Sequence, residues 1–228
     1  MNATNSTVNK PVNIGIVGLG TVGGGALHLL RANAAELSRR TGRDIVVSHV
    51  GVRREHPNLD LAGITVSMDI FAVVDDPAVD IVVEVIGGIT VARELVLRAI
   101  ANGKHVVTAN KWLLAEHGNE IFTAAEAKGV HVAFEASVAG GVPIIKVLRE
   151  GLAANNIEWL AGIINGTGNY ILTEMRDKGR SFTDALDEAK ALGYAEADPA
   201  FDVEGIDAAH KLTIMASLAF GIPLQFSK

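Results

Sequence analysis

The sequence predicts a doubly wound, mostly parallel α/β sheet followed by a second domain of α+β character. Three observations predict it. Short β-branched runs alternate with stretches of helical spacing between Val12 and Phe134, the pattern of a parallel sheet with crossover helices. The first run opens into Gly18-Leu19-Gly20-Thr21-Val22-Gly23, glycines spaced as in a strand-to-helix turn that receives phosphates. Beyond Pro143 the alternation gives way to glycine-punctuated helices and an acidic stretch.

Taken in order, Met1–Lys10 is polar and has no apolar core. It is expected to be a disordered tail and not a signal peptide. Residues 11–142 are expected to form a Rossmann-type nucleotide-binding domain. Ile14–Val17 reads as a strand and Ala26-Leu27-His28-Leu29-Leu30 as the helix after the turn. Gly18 permits a tight turn, Gly20 lets backbone approach a pyrophosphate, and Gly23 lets the helix pack on the strand. The helix N-terminus offers free N–H groups and a positive dipole end. Gly18, Leu19, Gly20, Thr21, Val22 and Gly23 are therefore the candidate cofactor turn. The plain alternative is a structural turn in an α/β domain.

A helix running to about Arg40 precedes the second strand, Ile45–Val52. In the dinucleotide pattern an acid at the end of this strand holds the ribose 2′-OH. Val52-Arg53-Arg54 stands there instead. Arg53 fits a 2′-phosphate, so NADP is the expected cofactor and NAD the alternative; two solvated arginines are the competing reading. Asp80–Ile86 is a β-branched run suited to a strand buried on both faces, and Gly87-Gly88 follow it. Val91–Ala101 has helical spacing, Lys104–Thr108 reads as a strand, Ile121–Ala127 as a helix and Val130–Phe134 as a strand. Ligands of such sheets lie beyond the carboxyl ends of the strands. Those ends collect Gly18 to Gly23, Arg53, Gly87-Gly88, Thr108 to Lys111 and Glu135 to Gly141. Lys111 starts a helix, where a cation opposes the dipole, which favours a task toward cofactor and substrate over a structural one.

The loop Glu135–Pro143 is glycine-rich. Glu135 either caps local N–H groups or joins backbone carbonyls around a hard cation. Residues 143–228 are expected to form the second domain. Ile157–Ile164 reads as a strand, Asn165–Asn169 as a polar turn, and Tyr170–Met175 as the start of a helix. Ser181 and Asp184 suit the cap of another helix, which ends at Gly193. From Glu196 to Asp207 five of twelve residues are acidic. A last helix, about Val203–Phe220, carries Asp207 and Lys211 on one face. Its apolar residues Ala208, Ala209, Leu212, Ile214 and Met215 make a charge pair costly there unless it has a task. The bland alternative is an exposed helix ion pair.

Composition narrows the classes. The net charge of −6 and the lack of a basic run argue against nucleic acid as a partner. No cysteine is present, which excludes thiol chemistry and disulfides and fits a reducing, cytoplasmic setting. No apolar run reaches the ~18 residues of a membrane span.

Five motifs occur in order: the glycine turn at Gly18–Gly23, Thr108-Ala109-Asn110-Lys111, Asn165-Gly166-Thr167-Gly168-Asn169-Tyr170-Ile171-Leu172, Gly193-Tyr194-Ala195-Glu196-Ala197-Asp198-Pro199, and Gly205-Ile206-Asp207-Ala208-Ala209-His210-Lys211. Together they resemble homoserine dehydrogenase over about residues 11–226. The resemblance implies an NAD(P)-dependent, homodimeric enzyme interconverting L-homoserine and L-aspartate 4-semialdehyde on the way to threonine, methionine and isoleucine. It also implies roles. Lys211 would be the catalytic proton carrier; Glu196 and Asp207 would hold the substrate amino group, with Asp202 a nearby acid. Lys111 and Gly193 would lie on the cofactor side. Glu135 and the carbonyls of Val138, Gly140 and Val142 would bind a sodium ion. The sequence departs from the family in two places. Gly168 replaces a small polar residue. The family also continues past the equivalent of Lys228, so the resemblance implies an N-terminal part whose substrate and dimerisation domain is incomplete. Two rivals stand beside this reading: another two-domain NAD(P)-dependent dehydrogenase, and a non-enzymatic nucleotide-sensing module.

Overall fold

A computed structural model describes residues 10–56, 58–195 and 198–227. Residues 1–9 of the expected tail and Glu196 lie outside the described residues. The chain divides into two compact units. The first runs through Leu113 and takes in Glu120–Phe134; the second holds Leu114–Asn119 and Glu135 onward. The division falls after Phe134, whereas the sequence suggests a boundary after Val142.

In the first unit, β1 (Val12–Val17), β2 (Ile45–Gly51), β3 (Thr65–Ser67), β4 (Ile81–Glu84), β5 (His105–Thr108) and β6 (Val132–Ala133) form a six-stranded sheet ordered β3-β2-β1-β4-β5-β6. Every neighbouring pair is parallel. The order reverses at β1, so β1 and β4 flank the switch point where doubly wound sheets take their ligands. Helices α1 (Thr21–Ala32), α2 (Ala34–Thr41), α3 (Phe71–Asp75), α4 (Thr90–Ala101) and α5 (Lys111–Lys128) connect the strands. Ile14, Ile16, Leu19, Leu27, Val47, Val50 and Val52 form one core cluster. On α4 the apolar stripe predicted from spacing is buried, and Leu95 and Val96 are fully enclosed. Each such side chain is worth about 1.5–3 kcal/mol.

Three features depart from the sequence reading of this unit. The first helix does not run unbroken to Arg40. Asn33 interrupts it, with its backbone N–H and its side-chain amide both donating to the Leu29 carbonyl, the competition that makes asparagine poor within helices. β3 and α3 are too short for periodicity to reveal. β6 is only two residues long.

The second unit holds α6 (Ile144–Lys146), a π-helical turn at Val147–Gly151, and α7 (Gly166–Lys178), α8 (Phe182–Ala191), α9 (Ala200–Val203) and α10 (Ile206–Phe220). Ile171, Ala185, Ala189 and Ala195 form its small core, packed by Tyr170, Met175, Leu186 and Val203. Ile157–Ile164 is not a strand here. A strand requires a hydrogen-bonding neighbour strand, and among the described residues no strand pairing includes this segment; Trp159 and Ile163 remain 75% and 77% exposed. The last helix starts at Ile206 and not at Val203, because Gly205 takes φ +77 and separates it from α9. Among the described residues no helix is long and apolar enough to cross a membrane.

Candidate functional site

The first unit carries a cleft of about 510 Å³ lined by Gly18, Leu19, Gly20, Gly51, Val52, Arg53, Arg54, His56, Ile70, Val85 and Ile86. Local chemistry shapes it. Gly18 sits at φ +98, and a Cβ there would lie 2.8 Å from the Val85 carbonyl oxygen. A Cβ on Gly23 would lie 1.9 Å from the Gly18 carbonyl oxygen, so α1 can rest on the turn only with glycine at that position. Gly20 differs: a Cβ there would meet nothing within 4 Å. The space beside it is free for a ligand's phosphates. Thr21, Val22 and Gly23 form the first turn of α1, which contains no acidic residue, so no side-chain charge there would oppose an anion at its N–H groups and dipole. Arg53 and Arg54 follow β2 and line the same cleft, with His56 a third basic group that the sequence reading did not single out.

Lys111 opens α5 behind Asn110, whose side-chain oxygen accepts the Leu113 N–H at 3.1 Å. Beneath this start lies the wholly buried Glu84, which the sequence reading also missed.

The second unit carries a cavity of about 570 Å³ lined by Asn165, Gly166, Thr167, Asn169, Tyr170, Thr173, Tyr194, Asp202, Asp207 and Lys211. Lys211 Nζ donates to Asp207 Oδ2 at 2.7 Å and to the Ile164 carbonyl at 2.7 Å. Asn165 joins the acids: its amide donates to Asp202 Oδ1 at 2.8 Å and to Asp207 Oδ2 at 2.9 Å. Its side-chain oxygen accepts the Gly168 N–H, which caps α7. A Cβ on Gly168 would lie 3.1 Å from that same oxygen, so glycine leaves the cap unhindered. Thr167 donates its hydroxyl proton to the Tyr194 carbonyl at 2.6 Å. Asn165 was legible only as part of a polar turn; its bridging of two carboxylates depends on residues 37 and 42 positions away.

Behind the cavity wall, the Tyr170 hydroxyl donates to Glu188 Oε2 at 2.6 Å, and Arg180 pairs with the same carboxylate. The carboxylate beside it pushes the Tyr170 phenol up to about 12. Conversely, the Tyr170 and Arg180 hydrogen bonds hold Glu188 below the usual carboxylate range. Gly193 does not line the cavity; it sits at φ +77 just past α8, beside Tyr194, which does.

Glu135 accepts the Ile145 N–H at 2.8 Å and the Lys146 N–H at 2.9 Å, one on each oxygen, and so caps α6. The Gly140 carbonyl accepts the Val142 N–H at 2.5 Å and the Val142 carbonyl accepts the Ile144 N–H at 2.8 Å. Among the described residues no three His, Asp or Glu side chains gather as a metal site. A cation at this loop would therefore depend on backbone oxygens together with the one carboxylate.

A parallel sheet with its glycine turn at the switch point defines a protein of the dinucleotide-binding class, joined to a unit with a polar, lysine-bearing cavity. Residues 18–135 match the homoserine dehydrogenase NAD-binding domain, and residues 143–228 match the homoserine dehydrogenase family. The chain belongs to the homoserine dehydrogenase family. It is 67% identical over 219 residues to the homoserine dehydrogenase of Pseudomonas aeruginosa, covering 96% of this chain and 50% of that protein. The crystal structure of a homoserine dehydrogenase from Thiobacillus denitrificans superposes with a TM-score of 0.89 at 65% identity, over 96% of this chain and 51% of that one. A hyperthermophilic archaeal homoserine dehydrogenase in complex with NADPH gives a TM-score of 0.79 at 31% identity, over 93% and 71%. The chain spans about half the length of the curated relatives it matches.

Proposed function

We propose that this chain carries the cofactor-binding unit and the lysine-bearing part of the substrate site of an NADP-dependent dehydrogenase interconverting L-homoserine and L-aspartate 4-semialdehyde. The observation that carries the reading is the Lys211 cluster. A lysine ammonium, two carboxylates and an amide converge on one polar cavity, acceptors and a donor suited to a substrate holding both an ammonium and a hydroxyl. When bound, the nicotinamide cofactor accepts or donates the hydride. The protein manages the proton and the orientation. Lys211 Nζ gives a proton to the aldehyde oxygen during reduction and takes it back from the hydroxyl during oxidation. Asp207, with Asp202 nearby and Glu196 on the adjoining acidic loop, holds the substrate ammonium. Asp207 and the Ile164 carbonyl also orient Lys211, through two contacts that leave the ammonium one further proton.

In the first unit, Gly18 to Gly23 receive the pyrophosphate and Arg53 and Arg54 the 2′-phosphate. Their shared cleft supports this, as does the archaeal relative solved in complex with NADPH. Lys111 and Gly193 are assigned to the cofactor side. Glu135 and the carbonyls of Val138, Gly140 and Val142 are assigned to a sodium ion that would brace the loop before α6; the all-oxygen donor set suits such an ion. The whole protein is read as a cytoplasmic homodimer. The absence of cysteine fits the compartment, and the segment 157–164, which forms no strand and exposes Trp159 and Ile163, fits a surface that a partner subunit covers. The test is direct: protein incubated with NADP and homoserine should build absorbance at the reduced-nicotinamide band. Cofactor binding with no homoserine-dependent signal, in a chain extended to the length of its relatives, would refute the reading.

A further inference from the structure

Glu84 is a buried titratable group that the proposed mechanism does not use. It ends β4, in register with Thr108 at the end of β5, and no part of it reaches solvent. A carboxylate in that position is expensive, and an apolar side chain would pack there without desolvation. Both of its oxygens are occupied by neutral donors. One accepts the Ile86 N–H at 2.9 Å and the other the Thr108 hydroxyl at 2.6 Å.

The bonding continues beyond this pair. The Thr108 hydroxyl oxygen accepts the Asn110 N–H at 3.0 Å. The Asn110 amide donates to the Gly88 carbonyl at 2.6 Å, and its oxygen caps α5 through the Leu113 N–H. One hydrogen-bonded chain thus ties together the carboxyl ends of β4 and β5, the Gly87-Gly88 turn and the start of α5, where Lys111 stands. Ile86 and its neighbour Val85 are also walls of the dinucleotide cleft. In a doubly wound sheet one half of a dinucleotide lies over the first mononucleotide-binding half and the remainder across the switch point. Arg53 and the glycine turn mark the adenosine and phosphate side, which leaves the β4–β5 ends for the nicotinamide.

We infer that Glu84 is a positioning residue that sets the nicotinamide end of the cofactor cleft and the start of α5, acting through Thr108 and the Ile86 N–H. The inference rests on the cofactor reading above, and the experiment separates the two. Titration calorimetry with NADPH and with adenosine 2′,5′-bisphosphate compares a ligand that spans both halves with one confined to the adenosine side. Glu84→Gln replaces one acceptor with a donor, and Thr108→Val removes the hydroxyl without changing shape. In each case a buried polar group loses its partner, so NADPH should bind roughly tenfold more weakly while the bisphosphate binds as in wild type. Thr108→Ser, which keeps the hydroxyl, should restore NADPH affinity. Where Glu84→Gln does not fold, as judged by its far-ultraviolet spectrum, Thr108→Val carries the test. Equal losses for both ligands would reduce Glu84 to a fold-holding role and overturn the inference, as would unchanged NADPH affinity. Failure of the wild type to bind either ligand would overturn the cofactor reading and this inference with it.

Discussion

Gly20 and Gly23 lie in the same turn, yet alanine should affect them in opposite ways. At Gly23 a Cβ would stand 1.9 Å from the Gly18 carbonyl oxygen and 3.1 Å from a Val85 methyl. A relaxed C···O approach is about 3.3 Å, so α1 must retreat by more than 1 Å from a backbone atom that cannot rotate away. Overpacking of this kind costs about 1–3 kcal/mol, and a clash with main chain belongs at the upper end. For a chain of this size each kcal/mol lowers Tm by about 2–4 °C, so Gly23→Ala should melt about 6–12 °C early. At Gly20 a Cβ meets nothing, and φ is −69, open to any residue. Alanine is a poorer helix cap than glycine by about 0.5–1 kcal/mol. It recovers about 0.4–1 kcal/mol by restricting the unfolded chain. Gly20→Ala should therefore melt within a degree or two of wild type. Its methyl, however, occupies the space where a pyrophosphate approaches, so NADPH affinity should fall tenfold or more. Differential scanning calorimetry and reduced-nicotinamide fluorescence titration measure the two effects. Unimpaired NADPH binding by Gly20→Ala, or a Tm loss equal to that of Gly23→Ala, would refute the geometric argument.

In a chain extended to the length of its relatives, Lys211→Met should lower kcat about 10²–10⁴-fold with NADPH affinity retained; near-normal kcat would leave Lys211 as a mere helix ion-pair partner and shift attention to Lys111. Arg53→Ala should weaken NADP roughly ten- to a hundredfold, the scale of a lost charged hydrogen bond, and leave NAD nearly untouched; equal losses would exclude Arg53 from reading the 2′-phosphate. Of the two tyrosines, one should ionise near 12 in an ultraviolet titration, and Glu188→Gln should bring it back toward the ordinary value of 10.0. Because folding raises this acid's pKa, the Tyr170–Glu188 contribution to stability is full below about pH 10 and disappears as the pH climbs through 12. Replacing choline with sodium should raise the Tm of the wild type and not that of Glu135→Ala; the same rise in both would remove the cation from this loop.

Local chemistry made the cofactor turn readable. Three glycines between an apolar strand and a helix meet steric demands that arise within a few residues, and the structure places Gly18 at φ +98 and Gly23 against the Gly18 carbonyl accordingly. Alternation of strand and helix spacing likewise carried the parallel sheet, because each element's burial leaves its own period in the sequence. What the sequence could not decide is who meets whom at long range. Asn165 bridges Asp202 and Asp207, Lys211 reaches the Ile164 carbonyl, and Glu84 finds Thr108 only after separate segments pack. No local pattern encodes those pairings. The run Ile157–Ile164 has the composition of a strand, but a strand is a relation between two segments, and apolar residues alone cannot supply the second. Asn33 shows the same limit within a helix: its side-chain amide joins its backbone N–H on the Leu29 carbonyl, and helical spacing in the sequence does not show that the helix breaks there.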